Sequence, residues 1–156
     1  MKKVLACCLL FQMTAFGLTG CGDSVEVLEL ADPVPVSGTV TMDSKPLAKA
    51  LVNFSPDGGV KGPGSSAITD ENGKYELIIM INGESKTGAV PGKYRVTISS
   101  LVGPDGAPIV PDGETPPAML AAREVLQDKY SNPAATELTA TVPDAGGKFD
   151  FDVFQN

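Results

Sequence analysis

From Val34 onward the apolar positions recur every second residue. Val34, Val36, Val40 and Met42 alternate with Pro35, Ser37, Thr39 and Thr41, and Ala50, Val52 and Phe54 share one face of a second segment. Ala67-Ile68-Thr69 forms a third. Tyr75, Leu77 and Ile79 then alternate with Glu76, Ile78 and Met80, and Tyr94, Val96 and Ile98 face away from Lys93, Arg95 and Thr97. Leu138, Ala140 and Val142 make another face, and Phe149, Phe151 and Val153 close the series. A period of two is the mark of half-buried strands. Turn chemistry separates them at Asp43-Ser44-Lys45-Pro46, Asp70-Glu71-Asn72-Gly73, Ala89-Val90-Pro91-Gly92 and Pro143 to Gly147. About seven short strands with frequent turns predict an all-β, antiparallel β-sandwich over residues 34–156.

One stretch departs from that period. Val102 to Pro117 is rich in Pro, Gly and Asp, and it runs into helix-forming residues from Ala118 to Leu126. Thr115 is positioned to cap them with Pro116 in the first turn, and Met119, Ala122 and Leu126 would share a face. The expectation is a short helix in the crossover before the last two strands.

The first 33 residues read differently. Lys2 and Lys3 precede an apolar run from Val4 to Phe16, broken only by Gln12 and Thr14. The run is too short to span a bilayer and has no basic flank after it, so it reads as a signal peptide over residues 1–20. It ends in Leu18-Thr19-Gly20-Cys21, which resembles the bacterial lipobox, with small residues before a cysteine that receives diacylglycerol before cleavage. Processing would remove Cys7 and Cys8 and occupy the sulfur of Cys21 with lipid. The mature chain would then hold no disulfide, and its stability must come from packing. Two or three acyl chains, palmitate among them, anchor firmly where one does not. Residues 21–33, carrying Asp23, Glu26, Glu29 and Asp32, then form an acidic tether. Gly22 follows the lipidated cysteine where Asp would retain a lipoprotein at the inner membrane. That favours the outer membrane, facing the periplasm or the cell surface.

Composition narrows the chemistry. With 12 basic and 19 acidic residues the net charge is −7, and no basic run offers a surface to a phosphate backbone, so no nucleic-acid partner is expected. The absence of histidine removes Ser-His-Asp and Cys-His nucleophile systems, imidazole metal ligation and an imidazole proton shuttle.

The segments Val36 to Leu47, Ala50 to Phe54, Thr69 to Tyr75 and Gly88 to Ile98 together resemble the carboxypeptidase regulatory-like domains. These are transthyretin-like (prealbumin-like), seven-stranded Greek-key sandwiches. Taken with the lipobox, Lys129 to Pro133, Thr136 to Val142 and Phe149 to Val153, the chain is similar to small lipoproteins abundant in planctomycete bacteria. The resemblance implies that fold and an envelope location, and it implies an accessory module without catalytic residues or a cofactor.

Three candidate ligand groups remain. Asp150 and Asp152 lie two apart on one strand, so their side chains share a face about 7 Å apart. That spacing suits a glycosidase acid–base pair or a cation, but alternation with Phe149 and Phe151 already accounts for a solvated outer face. Tyr75 and Tyr94 fall on core faces, which leaves Tyr130, at the end of the crossover, as the one candidate ring for stacking on a sugar, although a core position is favoured for all three. Asp70-Glu71-Asn72-Gly73 fails the calcium-loop spacing and reads as a β-turn. The expectation is a non-enzymatic module, held to the membrane through Cys21, with a structural or protein-interaction role. Its first rival is a binder of envelope polysaccharide or a small ligand, which an unobstructed pocket between the Pro56–Ser66 and Val102–Pro117 loops would support. A carboxylate hydrolase that loses turnover in Asp150→Asn is the second.

Overall fold

The computed structural model describes residues 30–111 and 115–156. The leader, the lipobox Leu18-Thr19-Gly20-Cys21 and all of the tether before Leu30 lie outside the described residues. The described chain is all-β, mostly antiparallel, with very little helix.

In chain order the strands are β1 (Val36–Met42), β2 (Lys45–Pro46), β3 (Leu51–Asp57), β4 (Ser65–Ile68), β5 (Lys74–Glu76), β6 (Ile78–Ile81) and β7 (Glu84–Thr87). They continue as β8 (Gly92–Ser99), β9 (Leu101–Val102), β10 (Pro108–Ile109), β11 (Arg123–Glu124), β12 (Thr139–Val142), β13 (Gly147–Lys148) and β14 (Phe151–Val153). A six-stranded sheet has the order β12-β8-β3-β4-β6-β7, and a second sheet is built around β1. Leu77, fully buried between β5 and β6, marks where the chain passes from one sheet to the other. Alternation holds on both: Val36, Val40, Val52, Phe54, Ile79, Val96 and Ile98 are fully buried, while Ile78 and Met80 stay about half exposed.

The two sheets share one core, and Phe54 of β3 is its centre. Its ring lies 5.8 Å from Tyr94, 6.0 Å from Phe149 and 6.3 Å from Phe151, the last two edge-on. Such pairs add to area burial, so this cluster ties the final strands to the larger sheet.

The strand pairing differs from the expected antiparallel pattern at one place. β1 runs parallel to β13 and β14 on one flank, in a single register from Val36 opposite Gly147 to Met42 opposite Val153. On its other flank β1 is antiparallel to β5 and β2. Parallel pairing of the first and last strands arises because both run from the same end of the molecule. At that end sit the 143–146 turn, the start of β8 and the entry of the chain, where Leu30 packs against Gly62.

The helix expected over Ala118–Leu126 is replaced by other structure. A 3-10 turn covers Pro117–Leu120, with Pro116 rather than Thr115 at the position before it, and Ala121 in the left-handed region (φ 48°) stops it. Arg123–Glu124 then pairs with β9 as a strand, in a small sheet of order β10-β9-β11. The shared apolar face does not form, for Met119 is 80% exposed and Leu126 fully buried. The physical reason is Glu124. Its Oε1 accepts the amides of Ser100, Val125 and Leu126 at 3.0 Å each, and its Oε2 accepts the Ser99 hydroxyl at 2.6 Å. The Val125 and Leu126 amides are donors that a helix over 118–126 would have used, and the bonds to Ser99 and Ser100 hold Glu124 against the end of β8 instead. One short helix, α1 (Asp128–Ser131), follows in the same crossover and lies against β8.

Candidate functional site

The flank of β1 that meets β13 and β14 carries the two candidate carboxylates. Asp150 and Asp152 are both exposed, on the outer side of the strand, as alternation predicts. Their oxygens are engaged with β1. The Oδ1 of Asp150 accepts the Thr39 amide at 2.8 Å and its Oδ2 accepts Lys148 Nζ at 2.9 Å. The Lys148 hydrogen bond, helped by the Thr39 amide and the lysine's charge, holds the Asp150 carboxyl below the usual carboxylate range. Asp152 Oδ1 accepts the Thr41 hydroxyl at 2.7 Å and the Ser44 amide at 3.1 Å. Asp43 and Ser44 both have positive φ (51° and 64°) in the two-residue turn between β1 and β2. Asp152 thus fastens a turn whose residues are in a region L side chains seldom adopt.

Beside Asp150 the outer face is hollowed into a shallow groove of about 320 Å³ lined by Ser37, Gly38, Thr39, Lys74, Tyr75 and Lys148. Gly38 contributes backbone to this groove; its missing side chain lies on the core side, where a Cβ would meet the Phe149 carbonyl and the Tyr75 ring. Under Gly38 the Tyr75 hydroxyl crosses to the Phe149 carbonyl, and the two residues close the groove's floor. Burial, with the nearby Asp150 charge adding to it, pushes the Tyr75 phenol well above its ordinary pKa, so it remains a neutral donor. The walls offer hydroxyls from Ser37 and Thr39 and the ammonium groups of Lys74 and Lys148, with a carboxylate at the rim. These are groups for hydrogen bonding a small polar or anionic moiety. Among the described residues no three or more His, Cys, Asp or Glu side chains cluster to hold a metal.

Tyr130 lies in the core, the position favoured for all three tyrosines. It is buried (7% exposed) in α1, with Lys129 Nζ 4.9 Å over its ring, and so presents no open platform to a sugar. Its apolar neighbours come from the core that α1 covers, a long-range relation that local alternation does not reveal. Tyr94 lies in the core as expected and donates to the Val90 carbonyl at 2.7 Å.

The Pro56–Ser66 and Val102–Pro117 loops, between which a pocket would support the ligand-binding rival, lie at opposite ends of the sheet. β3 and β8 are antiparallel, with Asp57 opposite Lys93 and Leu51 opposite Ser99. The first loop follows Asp57 at one end of the sheet, and the second follows Ser99 at the other, so they are separated by the length of β8. Asp70 to Gly73 is a β-turn: Asp70 Oδ1 accepts the Asn72 and Lys74 amides at 2.8 Å, and Gly73 N–H donates to the Asp70 carbonyl.

Glu124, the most heavily hydrogen-bonded carboxylate described, was not singled out by sequence. Its signal was Ser99-Ser100 at a strand end with an acid in the following crossover, a pattern too common to decide anything.

Among the described residues no helix is long and apolar enough to cross a membrane. No family model matches the chain, and no curated protein does. A DUF3823 family protein from Parabacteroides merdae aligns with 80% of this chain and 46% of its own, at 14% identity and a TM-score of 0.38. The chain spans less than half the length of that structure.

Proposed function

We propose that this protein is a lipid-anchored module of the bacterial cell envelope, a seven-stranded Greek-key β-sandwich of transthyretin-like type, acting structurally or by binding another protein and not by catalysis. The observation that carries the non-catalytic reading is the use to which Asp150 and Asp152 are put. Each carboxylate is spent on β1 or its turn, and a general acid needs a pKa raised by burial, the reverse of what Lys148 does to Asp150. The anchor rests on Leu18-Thr19-Gly20-Cys21 and on the short acidic tether. Entry of the chain beside Gly62, at the end of the sheets opposite β9–β11, is compatible with a domain held by that end.

The anchor is tested by Cys21→Ser in the full chain. The variant should move from the membrane to the released fraction, and a variant that stays membrane-bound overturns the envelope reading. Crosslinking in intact cells with mass spectrometry of the adducts tests the role. A protein recovered in near-stoichiometric amount supports it, whereas a glycan adduct shifts the reading to polysaccharide binding in the Lys74–Lys148 groove.

A further inference from the structure

The six-stranded sheet ends in β7, whose four residues Glu84-Ser85-Lys86-Thr87 are all exposed. β7 pairs with β6 through a tight turn at Asn82 (φ 52°) and Gly83 (φ 82°), the signature of a type I′ hairpin. In such a hairpin the residues flanking the turn, Ile81 and Glu84, exchange both backbone hydrogen bonds, and the pattern alternates from there. The Gly88 amide donates to the Leu77 carbonyl at 2.6 Å, which fixes the same phase at the other end of the strand. Glu84, Lys86 and Gly88 therefore bond inward to β6. Ser85 and Thr87 turn their amides and carbonyls toward the open edge.

An open edge is a template for another strand, and charges on it normally discourage pairing. Here the two charges are of opposite sign and two residues apart, one on either side of Ser85. An antiparallel second copy centred on Ser85 sets Glu84 opposite Lys86 of that copy, and Lys86 opposite its Glu84. Centring on Lys86 instead would face two lysines, and centring on Glu84 would face two glutamates. Opposite charges directly across a ladder stabilise, and like charges destabilise. The outward phase of Ser85 also makes it the centre of a hydrogen-bonded pair. Backbone phase admits Ser85 or Thr87 as the centre, and centring on Thr87 would pair neither charge and would need the Ala89 edge already bonded to Val34, so Ser85 is selected.

We infer that β7 is a two-fold interface for a second copy of this chain, joining two six-stranded sheets edge to edge through Ser85. A second copy on β7 supplies a partner for the interaction role, and its test is read separately from that of the anchor at Cys21.

The test uses the full chain carrying Ser85→Cys, in cells, treated with a short bis-maleimide, with the parent chain as control for its own cysteines. A homodimer adduct at position 85 is expected. Adding Lys86→Glu should lower its yield at least fivefold, and the swap Glu84→Lys with Lys86→Glu should restore it. The proposal is overturned by the absence of a homodimer adduct or by a yield indifferent to Lys86→Glu. A loss that the charge swap does not restore also overturns it, as does an adduct made only with a different protein.

Discussion

The phenol of Tyr75 donates a 2.7 Å hydrogen bond to the Phe149 carbonyl, passing beneath Gly38 from one flank of β1 to the other. A regular parallel ladder would give that carbonyl to the Thr39 amide. Thr39 instead donates to Asp150 Oδ1, and the ladder is interrupted between β13 and β14. A side chain from each neighbour thus replaces one backbone bond. Tyr75→Phe leaves a part-buried carbonyl without its donor and should cost about 1–3 kcal/mol in denaturant unfolding at neutral pH. The folded-state pKa of Tyr75 is raised, chiefly by burial, so its contribution is complete below the unfolded value of about 10 and is lost as pH climbs through the folded one. The parent chain should lose stability above about pH 10 more steeply than Tyr75→Phe does. Equal alkaline slopes would refute that assignment, and Tyr94, also raised by burial, would account for the slope common to both.

Gly38→Ala is the harsher change. A Cβ there would run into the Phe149 carbonyl and come within 2.8 Å of the Tyr75 ring, so either the ring or the final strand must shift. The expected loss exceeds that of Tyr75→Phe and reaches about 2–4 kcal/mol, with overpacking and the broken hydrogen bond combined. The double variant Gly38→Ala with Tyr75→Phe should be less unstable than the sum of the singles, because both act on one contact.

Most strand segments were legible because burial on one face imposes a period of two that no distant contact can hide. Val36, Val52, Phe54, Tyr94 and Val142 were assigned to the core by that rule and lie there. What stayed hidden depends on residues far apart in the chain. Nothing local to Phe149 or Val36 announces that their strands pair in parallel. Intrinsic propensity favoured a helix over Ala118–Leu126, and one carboxylate at Glu124 outweighed it by collecting three backbone amides. The outward direction of Asp150 and Asp152 was legible in the same way as the strands. Their bonds to Thr39, Thr41 and Ser44 were not, since those depend on strand register.

Glu124→Ala strips the acceptor from the Ser100 and Leu126 amides and from the Ser99 hydroxyl, and leaves the Val125 amide only the Ser100 carbonyl. A cost of about 2–4 kcal/mol is expected, since hydrogen bonds to a charged acceptor are worth more than neutral ones. Glu124→Gln retains one carbonyl oxygen and should lose less. Hydrogen exchange at Ser100 and Leu126 distinguishes local from global loss: those two amides should gain exchange in both variants before β3 and β8 do, and before Val125, which keeps the Ser100 carbonyl.

Asp150→Asn should cost well under about 1 kcal/mol at neutral pH, because its lysine pair is exposed and solvent-screened. The folded-state pKa of Asp150 is depressed, so its contribution is present above the unfolded value of about 4 and fades as pH falls through the folded one. Parent and Asp150→Asn stability curves should therefore converge in strong acid. Asp152→Ala should be the costlier of the two at neutral pH, since it releases the Ser44 amide in a turn with two positive φ angles.

Ser65 offers the opposite sign. Its hydroxyl is buried on the core face of β4, 1% exposed, with no hydrogen-bond partner among the described residues. A hydroxyl taken out of water without compensation is a standing cost, and its removal leaves a methyl on a face that already accepts Ala67. Ser65→Ala should raise the unfolding free energy by about 0.5–1.5 kcal/mol, with an unchanged denaturant slope because the buried surface hardly differs. Ser65→Val separates the two causes. It removes the same hydroxyl but adds volume beside Phe54 and Ile79, the partners of Ser65 across the sheet. If desolvation governs, both variants gain; if space governs, only alanine does. A loss in Ser65→Ala would mean that the hydroxyl is satisfied in solution, and that β4 holds a bond of its own there.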